Sequence, residues 1–245
     1  MKRFLFVAGC ARSGTSAFAQ LLSGSKDIVI GMERFGHLEN KSNFLLTPEY
    51  FFKERFFHVE TGDTFYDDFD EYHAYDTAMR SKFDSCIYIG DKRPDLYECY
   101  DEVFESFPHA IIYFIYRDVR EVASSYQGRV MGRENWPATK NFKAAVTEWN
   151  RSLFLTREAI KKGYNIKCVD YNSVFVNPKN INLIFESLGL NYGENEKNKF
   201  KELIVRSEHL QKNRVNLLSE EEEVYVKENA KLFLLQDIES NNILK

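Results

Sequence analysis

Two rhythms of apolar and polar positions run along the chain. Short unbroken apolar stretches cover residues 3–8, 28–30, 86–89, 110–116 and 166–171. Stretches of this length, rich in β-branched and aromatic side chains, predict buried strands. Between them, apolar residues recur at helical spacing over 15–22, 97–107, 119–131, 142–162, 178–188 and 219–235, which predicts helices with one face turned to a core. Strands alternating with helices predict an α/β fold of three layers, α/β/α, around a mainly parallel sheet. Right-handed crossovers in such a sheet gather the strand C-termini along one edge.

Local signals sharpen the boundaries. Ser219 followed by Glu222 is a capping-box start. Asn177-Pro178 predicts a helix with proline in its first turn. Gly163 and Gly189 stand where helices should stop. Trp149 falls on the apolar face of its helix and reads as core. Residues 63–76 break the pattern: Asp63, Asp67, Asp68, Asp70, Glu71 and Asp76 lie among aromatics and read as a solvated insertion loop or short helical cap. There is no internal repeat or low-complexity linker, so residues 1–245 are expected to form a single domain.

Composition adds exclusions. A net charge of −4 argues against a nucleic-acid or membrane-surface binder, so any anion site must be built from a few placed Arg and Lys. Cys10, Cys86, Cys99 and Cys168 lack metal-ligand or paired spacing, which argues against zinc and against a disulfide framework. The first apolar run is too short for a signal-peptide core or a membrane span, and a cytoplasmic protein is expected.

The chemistry concentrates in two places. Gly9-Cys10-Ala11-Arg12-Ser13-Gly14-Thr15-Ser16 joins the first predicted strand to the first predicted helix. Strand, glycine loop and helix N-terminus together present backbone N–H groups to a phosphate. The spacing approaches G-x-x-x-x-G-K-S/T, but Thr15 occupies the lysine position and the positive charge sits at Arg12. The second place is the apolar run ending at Tyr116, followed at once by Arg117-Asp118-Val119-Arg120 and a helix carrying Ser125. A guanidinium fork at the strand end and a hydroxyl two turns into the helix suit one phosphomonoester.

Taken together, these blocks resemble the sulfotransferases that use 3′-phosphoadenosine-5′-phosphosulfate (PAPS). That family carries K/R-S-G-T/S-S/T for the 5′-phosphosulfate, matched by Arg12-Ser13-Gly14-Thr15-Ser16, and R-D-x-R-x-x-x-x-S for the 3′-phosphate, matched from Arg117 to Ser125. Some spacing is similar to the tyrosylprotein sulfotransferase branch. Gly31-Met32-Glu33 resembles its G-E-E segment, which implies Glu33 as general base, with His37 and Glu39 as rivals. Gly90-Asp91-Lys92-Arg93-Pro94 resembles its N-K-D-P segment, which implies that Lys92 touches the transferring group. Arg129 matches a further 3′-phosphate arginine, and Tyr171 a tyrosine near that phosphate; Lys212 or Arg214 stands for a C-terminal basic contact.

The resemblance implies a P-loop-like fold and transfer of a sulfuryl group from PAPS, without a metal, to a hydroxyl or amine acceptor. A carbohydrate, glycolipid or small metabolite is the expected acceptor, bordered by residues 35–80 and 130–142. Two other functions stay open on the residues alone. One is a P-loop kinase of a small molecule using ATP and Mg²⁺, against which stand Thr15 and the Arg117/Ser125 element. The other is a non-catalytic nucleotide-binding protein of the same fold.

Overall fold

The computed structural model describes residues 2–36, 38–40, 43–61, 63–64, 70–132, 136–212 and 217–244. In chain order they form β1 (Arg3–Ala8), α1 (Thr15–Leu22), β2 (Ile28–Met32), β3 (Glu39–Asn40), β4 (Asn43–Phe44), α2 (Lys53–Phe57), α3 (Asp70–Lys82), β5 (Tyr88–Lys92), α4 (Tyr100–Ser106), β6 (Ile111–Tyr116), α5 (Val119–Gly132), α6 (Phe142–Lys161), β7 (Ile166–Asp170), α7 (Tyr171–Phe175), α8 (Asn182–Glu186), α9 (Glu194–Lys212), α10 (Glu220–Asn229) and α11 (Leu232–Glu239). Five strands make one sheet in the order β2-β5-β1-β6-β7. Every pairing in it is parallel. The short β3 and β4 form a separate antiparallel pair.

Side chains of a strand alternate between the two faces of the sheet, and here both faces are covered. Leu5 and Val7 pack with Phe18, Leu21 and Leu22 of α1 and with Ile184 of α8. Phe6 and Ala8 pack with Val122 of α5 and Trp149 and Leu153 of α6. This is the expected three-layer arrangement, with a parallel sheet buried on both sides. The outer edge of β7 is partly covered by the chain's C-terminal segment, where the Ile243 N–H donates to the Cys168 carbonyl at 3.1 Å.

The expected strands are all present, shifted by a few residues. Three helix expectations need correction. The 97–107 helix is a 3-10 segment, Pro94–Cys99, followed by α4. The 178–188 helix shrinks to α8, because Asn180 takes a left-handed φ of 48° and the Lys179 N–H donates to the Ser173 carbonyl. The 219–235 helix is two: its capping box at Ser219 and Glu222 forms as expected, but Ala230 is extended and breaks the run. Gly163 and Gly189 do end their segments, at φ of 85° and 73°. The polar helix α9 has no counterpart among the expected elements.

The acidic segment also differs from expectation. Residues 65–69 lie outside the described residues, α3 begins at Asp70, and Asp63 is buried rather than solvated. Its carboxylate accepts from Arg34 Nη1 at 2.7 Å and from Arg55 Nη1 and Nη2 at 2.7 and 2.8 Å. The buried Arg34 guanidinium also donates to the carbonyls of Phe56 and His58. Burial alone would raise the Asp63 pKa, but the hydrogen bonds from Arg55, Arg34 and the Glu60 N–H outweigh it and hold the carboxyl well below the usual range. The cluster fastens Arg55, Phe56, His58 and Asp63 onto Arg34 in the turn that follows β2.

Removing one member of a buried ion cluster strands the others. Asp63→Asn is expected to lower unfolding free energy by about 3–5 kcal/mol in urea titrations. Asp84→Asn, which loses an exposed pair with Lys53, should cost under about 1 kcal/mol. Because the Asp63 pKa is depressed in the folded state, its contribution is present above the unfolded carboxylate pKa of about 3.9 and is lost as pH falls. The gap between wild type and Asp63→Asn should therefore close in acid.

Candidate active site

Parallel strands share one direction, so residues just past their C-termini become neighbours. Lys92 ends β5, Glu33 follows β2, the glycine loop follows β1, Arg117 follows β6, and Tyr171 follows β7. Within the sheet, Lys92 is in register with Val7 on one side and Met32 on the other.

The glycine loop is held from both flanks. The Gly9 N–H donates to the Pro94 carbonyl at 3.0 Å, and the Ser13 N–H turns back to the Cys10 carbonyl at 3.0 Å. Gly14 opens α1 at φ 95°, and among the described residues no side chain caps the helix. A Cβ at Gly14 would lie 2.5 Å from the Tyr171 ring, so glycine is required there twice over, by backbone and by contact. Arg12 is itself left-handed, at φ 69°, a conformation that costs a non-glycine residue on the order of 1 kcal/mol or more. Ser13 is fully buried, and its Oγ has no hydrogen-bond partner among the described residues. An orphan buried hydroxyl beside uncapped helix N–H groups is what an anion-binding loop provides. Thr15 is buried behind the loop, and Ser16 is half-buried in the first turn of α1.

A second basic patch adjoins this loop. Arg12 Nε donates to Ser125 Oγ at 3.1 Å. Arg117 lays its guanidinium on the Tyr171 ring, 4.0 Å from the centroid, and pairs with Glu121 on α5. The Arg117 carbonyl accepts from the buried Trp149 Nε1 at 2.9 Å. Tyr171 thus sits between Gly14 and Arg117, and its hydroxyl lies 3.4 Å from Ser207 Oγ on α9. Arg129 is half-buried one helical turn beyond Ser125 on the same face of α5.

On the other side of the loop, Lys92 and Glu33 form an ion pair at 2.5 Å. The Lys92 ammonium is buried, whereas Glu33 keeps about a fifth of its side chain exposed (21%). Glu33 is left-handed at φ 54°. Arg34 and Asp95 do not compete for this pair: Arg34 binds Asp63, and Asp95 binds Arg93. Asp91, the neighbour of Lys92, is fully buried and accepts N–H bonds from Lys92 and Phe35.

Of the rival base positions, His37 lies outside the described residues, and only the backbone of Glu39 is described, in β3. Arg214 lies outside them as well, and of Lys212 only the helical backbone at the end of α9 is described. A surface groove of about 580 Å³ between α6, α10 and α11, lined by Phe154, Tyr225 and Phe233, contains none of these candidate residues.

A sulfotransferase-family profile matches residues 5–194. The chain belongs to the sulfotransferase family. Solved structures agree on the fold. The sulfotransferase domain of the Synechococcus PCC 7002 olefin synthase superposes with a TM-score of 0.55 at 15% identity, covering 98% of this chain and 95% of that one. The sulfotransferase domain from the curacin biosynthetic pathway gives 0.52 at 11% identity, covering 80% and 77%. The sulfotransferase STF1 of Mycobacterium tuberculosis H37Rv gives 0.52 at 15% identity, covering 82% and 71%. No curated protein matches the chain. Among the described residues, no helix is long and apolar enough to cross a membrane.

Within this sulfotransferase frame, the structure brings Arg12, Ser13, Gly14, Thr15, Ser16, Lys92, Glu33, Arg117, Ser125 and Tyr171 to one edge of the sheet, with Arg129 in the last turn of α5. Sequence reasoning missed the Asp91 contacts and the link from Tyr171 to Ser207. Gly31 was a usable signal for the first: a Cβ there would lie 2.6 Å from Asp91 Oδ1. No local pattern marks the second, since positions 171 and 207 meet only through the packing of α9.

The Gly14 contact is testable by coupling. Gly14→Ala should lower unfolding free energy by about 1 kcal/mol or more through φ alone, plus the clash with Tyr171. In a Tyr171→Ala background the clash disappears, so the two losses measured in denaturant should be sub-additive by about 1 kcal/mol.

Proposed function

We propose that this sulfotransferase takes its sulfuryl group from PAPS and transfers it to a hydroxyl acceptor, with a carbohydrate, glycolipid or small metabolite as the acceptor class. The observation that carries the donor assignment is the contiguity of two anion-binding patches, joined by the Arg12–Ser125 hydrogen bond. One is the loop with the orphan Ser13 hydroxyl; the other is Arg117 braced on Tyr171. Adjacent patches of this kind suit a nucleotide bearing phosphate at both its 5′ and 3′ positions.

The donor supplies a sulfuryl group already activated on a phosphate. Ser13, Gly14, Thr15 and Ser16 would hold its 5′ end through backbone N–H groups and hydroxyls. Arg117, Ser125 and Arg129 would hold the 3′-phosphate, with Tyr171 keeping the Arg117 fork flat. Lys92 and Arg12 would offset the negative charge that grows on the departing phosphate oxygen. Glu33 would take the acceptor's proton as general base. The Lys92–Glu33 contact supports the two acting side by side, the Lys92 ammonium donating to Glu33 Oε1.

Thermal unfolding with added nucleotide tests the donor. 3′,5′-Adenosine bisphosphate without metal is expected to stabilise the protein by about 2.7 kcal/mol at about 100 times its Kd. Stabilisation by ATP with Mg²⁺ and not by the bisphosphate would overturn the reading in favour of a kinase. Arg117→Ala should weaken bisphosphate binding about 10- to 100-fold. Glu33→Gln should leave that binding within about twofold and lower transfer from PAPS, assayed against a panel of hydroxyl acceptors, by about 100-fold. Full turnover in Glu33→Gln would move the base to His37 or Glu39.

A further inference from the structure

Asp91 is a fully buried carboxylate one residue from a buried lysine, yet that lysine's ammonium bonds Glu33. Its two oxygens divide their work. Oδ1 accepts the Lys92 N–H at 2.9 Å, and Oδ2 accepts the Phe35 N–H at 3.2 Å. The Glu33 N–H in turn donates to the Lys92 carbonyl at 2.9 Å. The turn carrying Glu33 is therefore tied to β5 at both its beginning and its end, on either side of a left-handed residue at φ 54°. A strained backbone of this kind persists only where its surroundings over-determine it. Glycine at position 31 leaves the space that the carboxylate fills: a Cβ there would stand 2.6 Å from Oδ1 and 2.8 Å from the Arg34 Cβ.

We propose that Asp91 is a positioning residue for sulfuryl transfer, its ionised carboxylate clamping the Glu33–Phe35 turn so that Glu33 meets Lys92. The inference rests on the assignment of Glu33 as base. Accepting two N–H bonds with two oxygens needs the carboxylate: a neutral carboxyl turns one oxygen into a donor and loses part of the clamp. Burial pushes the Asp91 pKa up to about 7, against the lowering effects of Lys92 and the Phe35 and Lys92 N–H groups. The charged groups acting on it are Lys92 of its own strand, which lowers the value, and Glu33 after the neighbouring strand, which raises it. The clamp consequently tightens as pH rises through neutrality. Folding stability responds in the opposite sense: with the folded pKa raised above the unfolded one, this group's contribution to stability falls as pH rises between the two values.

The experiment compares wild type, Glu33→Gln, Asp91→Asn and the double variant. It measures transfer from PAPS to a hydroxyl acceptor identified in the panel and, with no acceptor present, sulfate release from PAPS to water. The affinity for 3′,5′-adenosine bisphosphate is measured alongside, all from about pH 5 to 9. Asp91→Asn is expected to lower kcat about 10- to 100-fold, with bisphosphate affinity within about twofold, since of the proposed nucleotide contacts only Lys92 lies on β5 and its ammonium makes no bond to Asp91. It should also shift the acid limb of the wild-type kcat profile, and the double variant should fall no further than Glu33→Gln.

A loss of nucleotide affinity in proportion to kcat, an unmoved acid limb, or losses in the double variant that multiply would each overturn the positioning role while leaving Glu33 as base. Full turnover in Glu33→Gln would remove the base assignment instead, and the clamp's purpose with it. Should Asp91→Asn fail to fold, the wild-type profile alone decides: a limb near neutrality at constant bisphosphate affinity supports the clamp, and a flat rate from about pH 5 to 8 overturns it.

Discussion

Parallel pairing is the constraint on which everything else in this molecule depends. Because all five strands of the main sheet run the same way, every strand ends at the same edge and every crossover must return through a helix. Residues as far apart in sequence as Arg12, Glu33, Lys92, Arg117 and Tyr171 are thereby delivered to one place by backbone hydrogen bonding alone. The side chains then need only short-range adjustments, namely the Arg12–Ser125 bond, the Lys92–Glu33 pair and the stacking of Arg117 on Tyr171.

Charge is arranged locally against the overall balance. The chain carries more acid than base, yet its basic groups at this edge are each given a particular task by a neighbour. Arg117 is flattened against an aromatic ring and neutralised in part by Glu121. Arg34 is taken out of play altogether, bound to Asp63 and the carbonyls of Arg55, Phe56 and His58. Three ionisable groups, Asp91, Lys92 and Glu33, crowd the end of β5 with one formal positive charge among them.

What could be read from the sequence was what is local. The glycine loop and the Arg117–Ser125 element each span a single strand–helix junction, and both occur where expected. Strand alternation was enough for the layers, because buried parallel strands are nearly all apolar. The rest was decided at longer range. Helix α9 is too polar to announce itself, and only its contacts with α1 and Tyr171 give it a place. Asp63 looked like one more acid in a solvated stretch; two arginines, one of them eight residues away in sequence, draw it inside. The helix expected over 219–235 carries a good start signal but no visible stop at Ala230, whose extended backbone lets the Lys231 N–H reach Asn150 Oδ1 on α6.

The family profile ends at residue 194, but the architecture continues past it. Ser207 braces the tyrosine beneath Arg117, the Leu217 N–H is received by the Ser124 hydroxyl beside Ser125, and Ile243 hydrogen-bonds the outermost strand. A fragment trimmed to the recognisable motif region would keep its signature residues while losing a buttress, a tie to α5 and a border of the sheet. The architecture therefore belongs to the tail as much as to the motifs, and a boundary drawn by similarity alone would cut through contacts that support Tyr171 and the outermost strand.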